Sequence, residues 1–236
     1  MEFSKLSSPS LKDLFVREIE NMILSGKLSV GDKLPPEREL AVKMSVSRTV
    51  VNSGLAELSR IGFVDIQPRV GAVVADFHRK GTIETLNAIL RYKGGILTNS
   101  EMKSLLEIRL VMEDLAIELA TPQLTREKLD VLKSLVEEFA SDDEPSSCAR
   151  NIFRLHHELC ILSGNTLLPV VFYSFKELSV SMWERYFRLH GNADLVRNTW
   201  DLYACLERRD TREALDTFHS SLKKTIDGMV SIYHKP

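Results

Sequence analysis

Cysteine is scarce in this chain: three in 236 residues, Cys148, Cys160 and Cys205. The number is odd and no C-x-x-C pair occurs, which excludes a disulfide framework and gives no support to a zinc finger. Reduced thiols in a cytoplasmic protein are the expectation. Aromatics make up only 7 %, and 11 Gly with 8 Pro are too few for a collagenous or low-complexity chain. Apolar residues at 44 % are too many for a disordered one. The opening MEFSKLSSPS has no apolar segment and no run approaches a membrane-spanning length, so neither a signal peptide nor a membrane span is expected. An excess of one charge is missing as well. Lys and Arg number 31 against 33 Asp and Glu, a net charge of −2, so no global basic excess points to nucleic acid or an anionic membrane.

Catalytic motifs are also absent. There is no G-x-G-x-x-G, P-loop, G-x-S-x-G or EF-hand pattern. His157-Glu158 lacks the second histidine of a zincin, and Cys160 beside Ile161-Leu162 reads as a buried small hydrophobe rather than a nucleophile. No catalytic residue is assigned, and an enzyme is not expected.

What is present changes character along the chain. Breakers are dense early on: Gly26, Gly31, Pro35, Pro36, Gly54, Gly62, Pro68 and Gly71 separate short segments. After Gly95 the pattern is of long amphipathic helices. This predicts a small first domain over residues 1–76, a linker at 77–81 and a larger helical domain over 82–236. In the first domain, Leu14, Phe15, Ile19, Met22 and Ile23 form a helical stripe within 11–28, ended by Gly26. PERELAVKM (36–44) reads as a short second helix, and Ser47 as the N-cap of a third over 48–61, stopped by Gly62. FVDIQ (63–67) and GAVVA (71–75) read as a hairpin with Pro68-Arg69-Val70 at its tip.

Three helices and a hairpin follow the order of a winged helix-turn-helix. Ser47, Arg48 and Thr49 stand at the start of the third helix, where unpaired N–H groups and the helix dipole favour a phosphate. Lys33, Arg38, Lys43, Arg60 and Arg69 are expected to converge on the same region. Residues 1–76 hold ten basic and ten acidic side chains, so a positive face would have to come from segregation. A three-helix scaffold, or a winged helix used for protein contacts, stays open at this point.

The runs LPPERELA (34–41), SVSRTVV (45–51), LAELSRIGFV (55–64) and RVGAVV (69–74) resemble the GntR family of bacterial transcription regulators, in the family's order and spacing. The resemblance implies DNA contacts from Arg38, Ser47, Arg48 and Thr49, with the wing tip around Arg69 and Gly71 at the minor groove. One departure stands out. Where family members carry an arginine followed by Glu-Ala, this chain has Asn52-Ser53-Gly54. Asn52 keeps the ability to read an adenine, and Gly54 costs the helix about 1 kcal/mol of propensity.

The second domain resembles the FadR-type, FCD-like helical effector domain. LLEIRLVMEDLAIELA (105–120) is similar to its opening helix, FRLHHELCILSGN (153–165) to its middle signature and LERRDTREALDTFHSSL (206–222) to its last helix. The implied fold class is mainly α: a winged helix followed by an all-α bundle of six or seven helices around a ligand cavity. Many such domains hold a divalent metal through an aspartate, the signature histidine and two later histidines. Here His156 aligns with the signature histidine, but Ile152, Thr199 and Ser221 occupy the other positions. No metal or other cofactor is therefore expected. His219 points about 200° away from the last position and is a poor substitute.

Arg109, set among apolar neighbours, is a natural clamp for a carboxylate, with His156, Thr199 and Ser221 as the remaining pocket candidates. An intrahelical Arg109–Glu113 pair on a solvated face is the alternative. The resulting expectation is a cytoplasmic repressor, homodimeric on a pseudo-palindromic DNA operator and controlled by a small organic acid. A ligand-independent DNA-binding protein, or a small-molecule-binding protein with a vestigial winged helix, are the alternatives.

Overall fold

A computed structural model describes residues 9–92, 98–227 and 232, and the chain falls into two compact units that divide at Gly94 and Gly95. In the first unit, α1 (Leu11–Leu24) starts from a capping box: Ser10 accepts from Asp13 N and the Asp13 carboxylate accepts from Ser10 N. α2 (Glu37–Lys43) and α3 (Arg48–Arg60) follow, with Ser47 capping α3 as its hydroxyl accepts from Val50 N. α3 ends at Gly62, whose φ of 85° and close approach to the Lys80 carbonyl leave no room for a side chain. β1 (Val64–Gln67) and β2 (Gly71–Val74) pair antiparallel in the register Val64↔Val74 to Gln67↔Gly71. Residues 31–34 run along β2, Leu34 N donating to Ala72 O and Val74 N to Asp32 O. Phe15, Ile19, Val51, Leu55, Leu58 and Phe63 fill the core between them.

The first unit extends past the winged helix. Residues 77–81, expected as a linker, form α4 (Phe77–Lys80) and its cap, and α5 (Ile83–Tyr92) packs back on α1. Ala88 is buried in the same core, the Thr85 hydroxyl donates to the Ile61 carbonyl, and Arg60 bonds Glu84 at 3.0 Å. The amphipathic run after residue 82 resembles the later helices in pattern, so its partner is not legible from periodicity.

Gly54 has a packing reason. A Cβ on it would lie 2.3 Å from Cδ1 of Phe15, a ring buried where α1 crosses α3. Helix propensity alone predicts that Gly54→Ala stabilises α3 by about 1 kcal/mol. We expect the opposite sign, a loss of about 1–3 kcal/mol from overpacking, read as a lower midpoint in denaturant. A raised midpoint would show that α1 can move aside.

The second unit is a bundle of seven helices among the described residues. They are α6 (Asn99–Ala120), α7 (Arg126–Ala140), α8 (Pro145–Leu162), α9 (Leu168–Ser174), α10 (Lys176–His190), α11 (Ala193–Arg208) and α12 (Thr211–Ile226). α8 is central, packed by α6, α7, α9 and α10, and buries Ile152, Phe153, Leu155 and Leu159. Local signals set the ends: Thr98 and Glu101 form a capping box on α6, and Asn165 Oδ1 accepts from Leu167 N and Leu168 N to open α9. No helix among the described residues is long and apolar enough to cross a membrane. All three cysteines are free and buried, and burial pushes the Cys160 thiol up, away from the reactive thiolate.

Candidate nucleic-acid interface and ligand cavity

The first turn of α3 is presented to solvent. Ser47, Arg48, Thr49 and Asn52 are all exposed, as are Arg38 on α2 and Arg69 and Gly71 at the wing. Arg48 and Asn52 stand four residues apart and so share one helix face. Val51, Leu55 and Leu58, buried along the adjoining side of the helix, anchor α3 in the core. Arg69 adopts φ 65°, the left-handed region disfavoured for a side chain of this kind, which turns the hairpin tightly and leaves its guanidinium at the tip.

The expected convergence of cations holds only in part. Among the described residues, Lys33, Arg38 and Arg69 have no carboxylate partner. Lys43 pairs with Glu39 at 2.6 Å. Arg60 lies at the far end of α3, committed to Glu57 and Glu84, and does not join the group.

Glu37 is the residue that the sequence reading missed. Its carboxylate lies 3.8 Å from Arg48 Nη2 and accepts from the Asn52 amide at 2.6 and 3.0 Å, with that amide oriented nitrogen-inward. An acid in the first turn of a helix reads simply as a complement to the dipole. Only the crossing of α2 and α3 brings it to the recognition residues.

In the second unit, Arg109, His156, Thr199 and Ser221 line one cavity of about 60 Å³, bounded by α6, α8, α10, α11 and α12. That is room for roughly four or five waters, the scale of a small organic acid. Arg109 is buried, so the intrahelical pair exists but in the interior: its Nε donates to Glu113 Oε1 at 2.8 Å. Its guanidinium carbon sits 4.0 Å from the centre of the Trp183 ring, and His156 stacks on the same ring. His156 Nδ1 lies 2.5 Å from Glu113 Oε2. Burial works to raise the Glu113 carboxyl, but the Arg109 charge and His156 outweigh it and hold it below the ordinary carboxylate range.

The opposite wall is neutral and polar. Asn198 Nδ2 donates to Ser221 Oγ at 3.1 Å, the Thr199 hydroxyl donates to its own helix at Leu195 O, and Thr217 and Thr225 complete it. Apolar patterning does not single out Asn198, Thr217 or Thr225, since each is an ordinary helix residue until the bundle closes.

The residues at the metal positions do not suit a divalent cation. Ile152 is fully buried and cannot ligate, Thr199 and Ser221 offer neutral hydroxyls, and His156 already faces Glu113. His219 lies outside the cavity lining, with Nε2 2.6 Å from Asp114 Oδ1. Among the described residues no group of three His, Cys, Asp or Glu could hold a metal.

Comparison with known proteins places both halves. The model for bacterial regulatory proteins of the gntR family matches residues 13–74, and the FCD domain model matches residues 104–223. Similar proteins include the Uxu operon transcriptional regulator of Escherichia coli K12, 26 % identical over 83 % of this chain and 77 % of its own. Another is the regulator Mce2R of Mycobacterium tuberculosis, 25 % identical over 75 % of this chain and 73 % of its own. A third is the repressor NanR of an E. coli O127:H6 strain, 28 % identical over 70 % and 63 %. Among solved structures, Lar, which controls the expression of the Listeria monocytogenes agr system, superposes with a TM-score of 0.59. It is 17 % identical and the match covers 94 % of this chain and 97 % of that one, a likeness of fold.

Proposed function

The chain belongs to the GntR family of bacterial regulatory proteins and carries an effector-binding FCD domain, and from that premise we propose that it is a metal-free, ligand-controlled repressor that grips a two-fold-symmetric operator as a homodimer. The observation that carries the DNA half is the N-capped first turn of α3, with Arg48 and Asn52 on one exposed face. An exposed helix start beside a wing is suited to the major groove and the flanking phosphates. Arg38, Ser47, Thr49, Arg69 and Gly71 supply the surrounding backbone contacts.

The cavity supports control by a small carboxylate. A guanidinium stacked on an indole is oriented in advance, and the neutral wall of Asn198, Thr199 and Ser221 suits hydroxyl or carbonyl groups on the same ligand. Large side chains do not fill the space, which speaks against a domain that has lost its ligand.

A second copy of the chain is the occupant we assign to an apolar face of the helical unit. Ile108, Val111, Leu115 and Leu119 form an exposed stripe on α6, and Leu167, Val170, Val171 and Tyr173 are exposed on or just before α9, which packs directly on α6. Gln123 ties α6 to the end of α8, its amide donating to Leu119 O and Ser163 O. These side chains expose on the order of 700 Å², close to what one partner gives a standard interface. Their uncharged composition is that of a permanent homodimer.

Selection from a random duplex library at fixed salt tests the reading, with sedimentation beside it. The expected results are a two-fold-symmetric motif and a dimer that Val111→Lys with Leu115→Lys converts to monomer. No enriched motif, with or without small carboxylates, would overturn the DNA half; a wild-type monomer would overturn the dimer.

A further inference from the structure

We infer that Glu37 is a positioning residue for operator reading: it holds the Asn52 amide in one orientation on the exposed face of α3, and Asn52 thereby discriminates operator from unrelated duplex. The inference rests on the reading of α3 as the recognition helix.

An asparagine amide has two N–H donors and one carbonyl acceptor. With its nitrogen turned to α2, the Asn52 amide meets the two oxygens of the Glu37 carboxylate at 2.6 and 3.0 Å. One N–H serves both oxygens, so the second N–H and Oδ1 stay available to a base. What Glu37 fixes is direction. An unheld amide exchanges its nitrogen and oxygen by a half-turn about the last side-chain bond, and a base contact then has to order it. Here a charge-assisted hydrogen bond sets the nitrogen toward α2 before DNA arrives. Ordering that is complete in the free protein is not subtracted from the affinity for the matching base.

The same carboxylate has an opposing effect. The Glu37 side chain is 44 % exposed and lies 3.8 Å from Arg48 Nη2. A negative charge therefore stands on the face that meets phosphates and offsets part of the Arg48 charge. Repulsion of this kind falls on every duplex alike, because phosphate contacts carry no sequence information. It lowers operator and non-operator affinity together and cancels in their ratio. The orientation of Asn52 acts only where the matching base is present, so it survives in the ratio.

Two substitutions separate these effects. In Glu37→Gln the side-chain carbonyl still accepts from the Asn52 N–H but carries no charge, whereas Glu37→Ala removes both the acceptor and the charge. Glu37 is part-exposed and Asn52 is exposed, so neither position holds the core.

The test is titration of the full chain against the operator recovered by duplex selection and against a scrambled duplex of equal length, at several salt concentrations. Wild type is compared with Glu37→Gln, Glu37→Ala, Asn52→Ala and the double variant Glu37→Ala with Asn52→Ala, each first checked for an unchanged thermal melt. Glu37→Gln should tighten both duplexes by about tenfold at about 0.1 M salt, with a log–log salt slope steeper by about one, and leave their ratio unchanged. Glu37→Ala should tighten the scrambled duplex equally but lower the operator-to-scrambled ratio by about tenfold. Asn52→Ala should lower that ratio at least as far, and the double variant no further than Asn52→Ala. A ratio that survives Glu37→Ala, or that falls as far in Glu37→Gln, would overturn the inference. So would losses that add in the double variant. A recovered motif whose ratio ignores Glu37 removes only the positioning role, whereas failure of the wild type to enrich any motif removes the recognition helix and this role with it.

Discussion

Replacing Arg48 by alanine is expected to weaken binding to the selected operator by about 10²- to 10³-fold at fixed salt. A good base contact by arginine discriminates by about 1–3 kcal/mol, and a homodimer loses it in both half-sites. The fold is not at risk: the Arg48 side chain is 69 % exposed and its contact with the Glu37 carboxylate is 3.8 Å long. Such an exposed pair is worth less than about 1 kcal/mol. Binding to unrelated duplex should change far less, because that term comes from the summed phosphate contacts. Anisotropy titrations against the operator and a scrambled duplex separate the two. An operator affinity within about threefold of wild type would move the reading head away from the start of α3.

The second large effect concerns stability. Arg109→Met leaves Glu113 buried without its strongest partner, and breaking such a pair costs about 3–5 kcal/mol. The double variant Arg109→Met with Glu113→Leu removes the stranded charge and should recover most of that loss. The pair also sets a pH dependence. Because the Glu113 carboxyl is held below its ordinary 4.5, its contribution is present above that pH and fades as the pH falls through the depressed value. The stability gap between wild type and Glu113→Gln should therefore close on acidification. Denaturant midpoints across pH 3–7 would decide this, and a gap that widens at low pH would mean that Glu113 folds protonated.

Much of the fold was legible because short-range chemistry dictates it. Ser47 caps α3, Gly62 ends it, and the wing registers around Gly71, each from signals within a few residues. Arg109, His156, Thr199 and Ser221 were chosen from separate parts of the chain, and all four line one cavity. What escaped depended on which helix meets which. The run after residue 82 looked like the start of the bundle, yet Thr85 and Ala88 bury against the first unit. Gly54 looked like a weakness in α3 until Phe15 was found against it. The solvated Arg109–Glu113 pair and the buried one have the same spacing in sequence. Only the arrival of α8 and α10 over α6 distinguishes them. Glu37 was hidden for the same reason, since its effect on Asn52 depends on the crossing of α2 and α3.

Trp183 has a consequence for how the cavity can be watched. The chain has two tryptophans, and this one lies beneath the Arg109 guanidinium and beside the His156 ring. Any occupant that draws the guanidinium toward itself changes what rests on the indole. Emission from Trp183, in a Trp200→Phe background, is thus a built-in optical gauge of occupancy. It needs no attached dye and no DNA, and it allows candidate metabolites to be sorted in an ordinary fluorimeter.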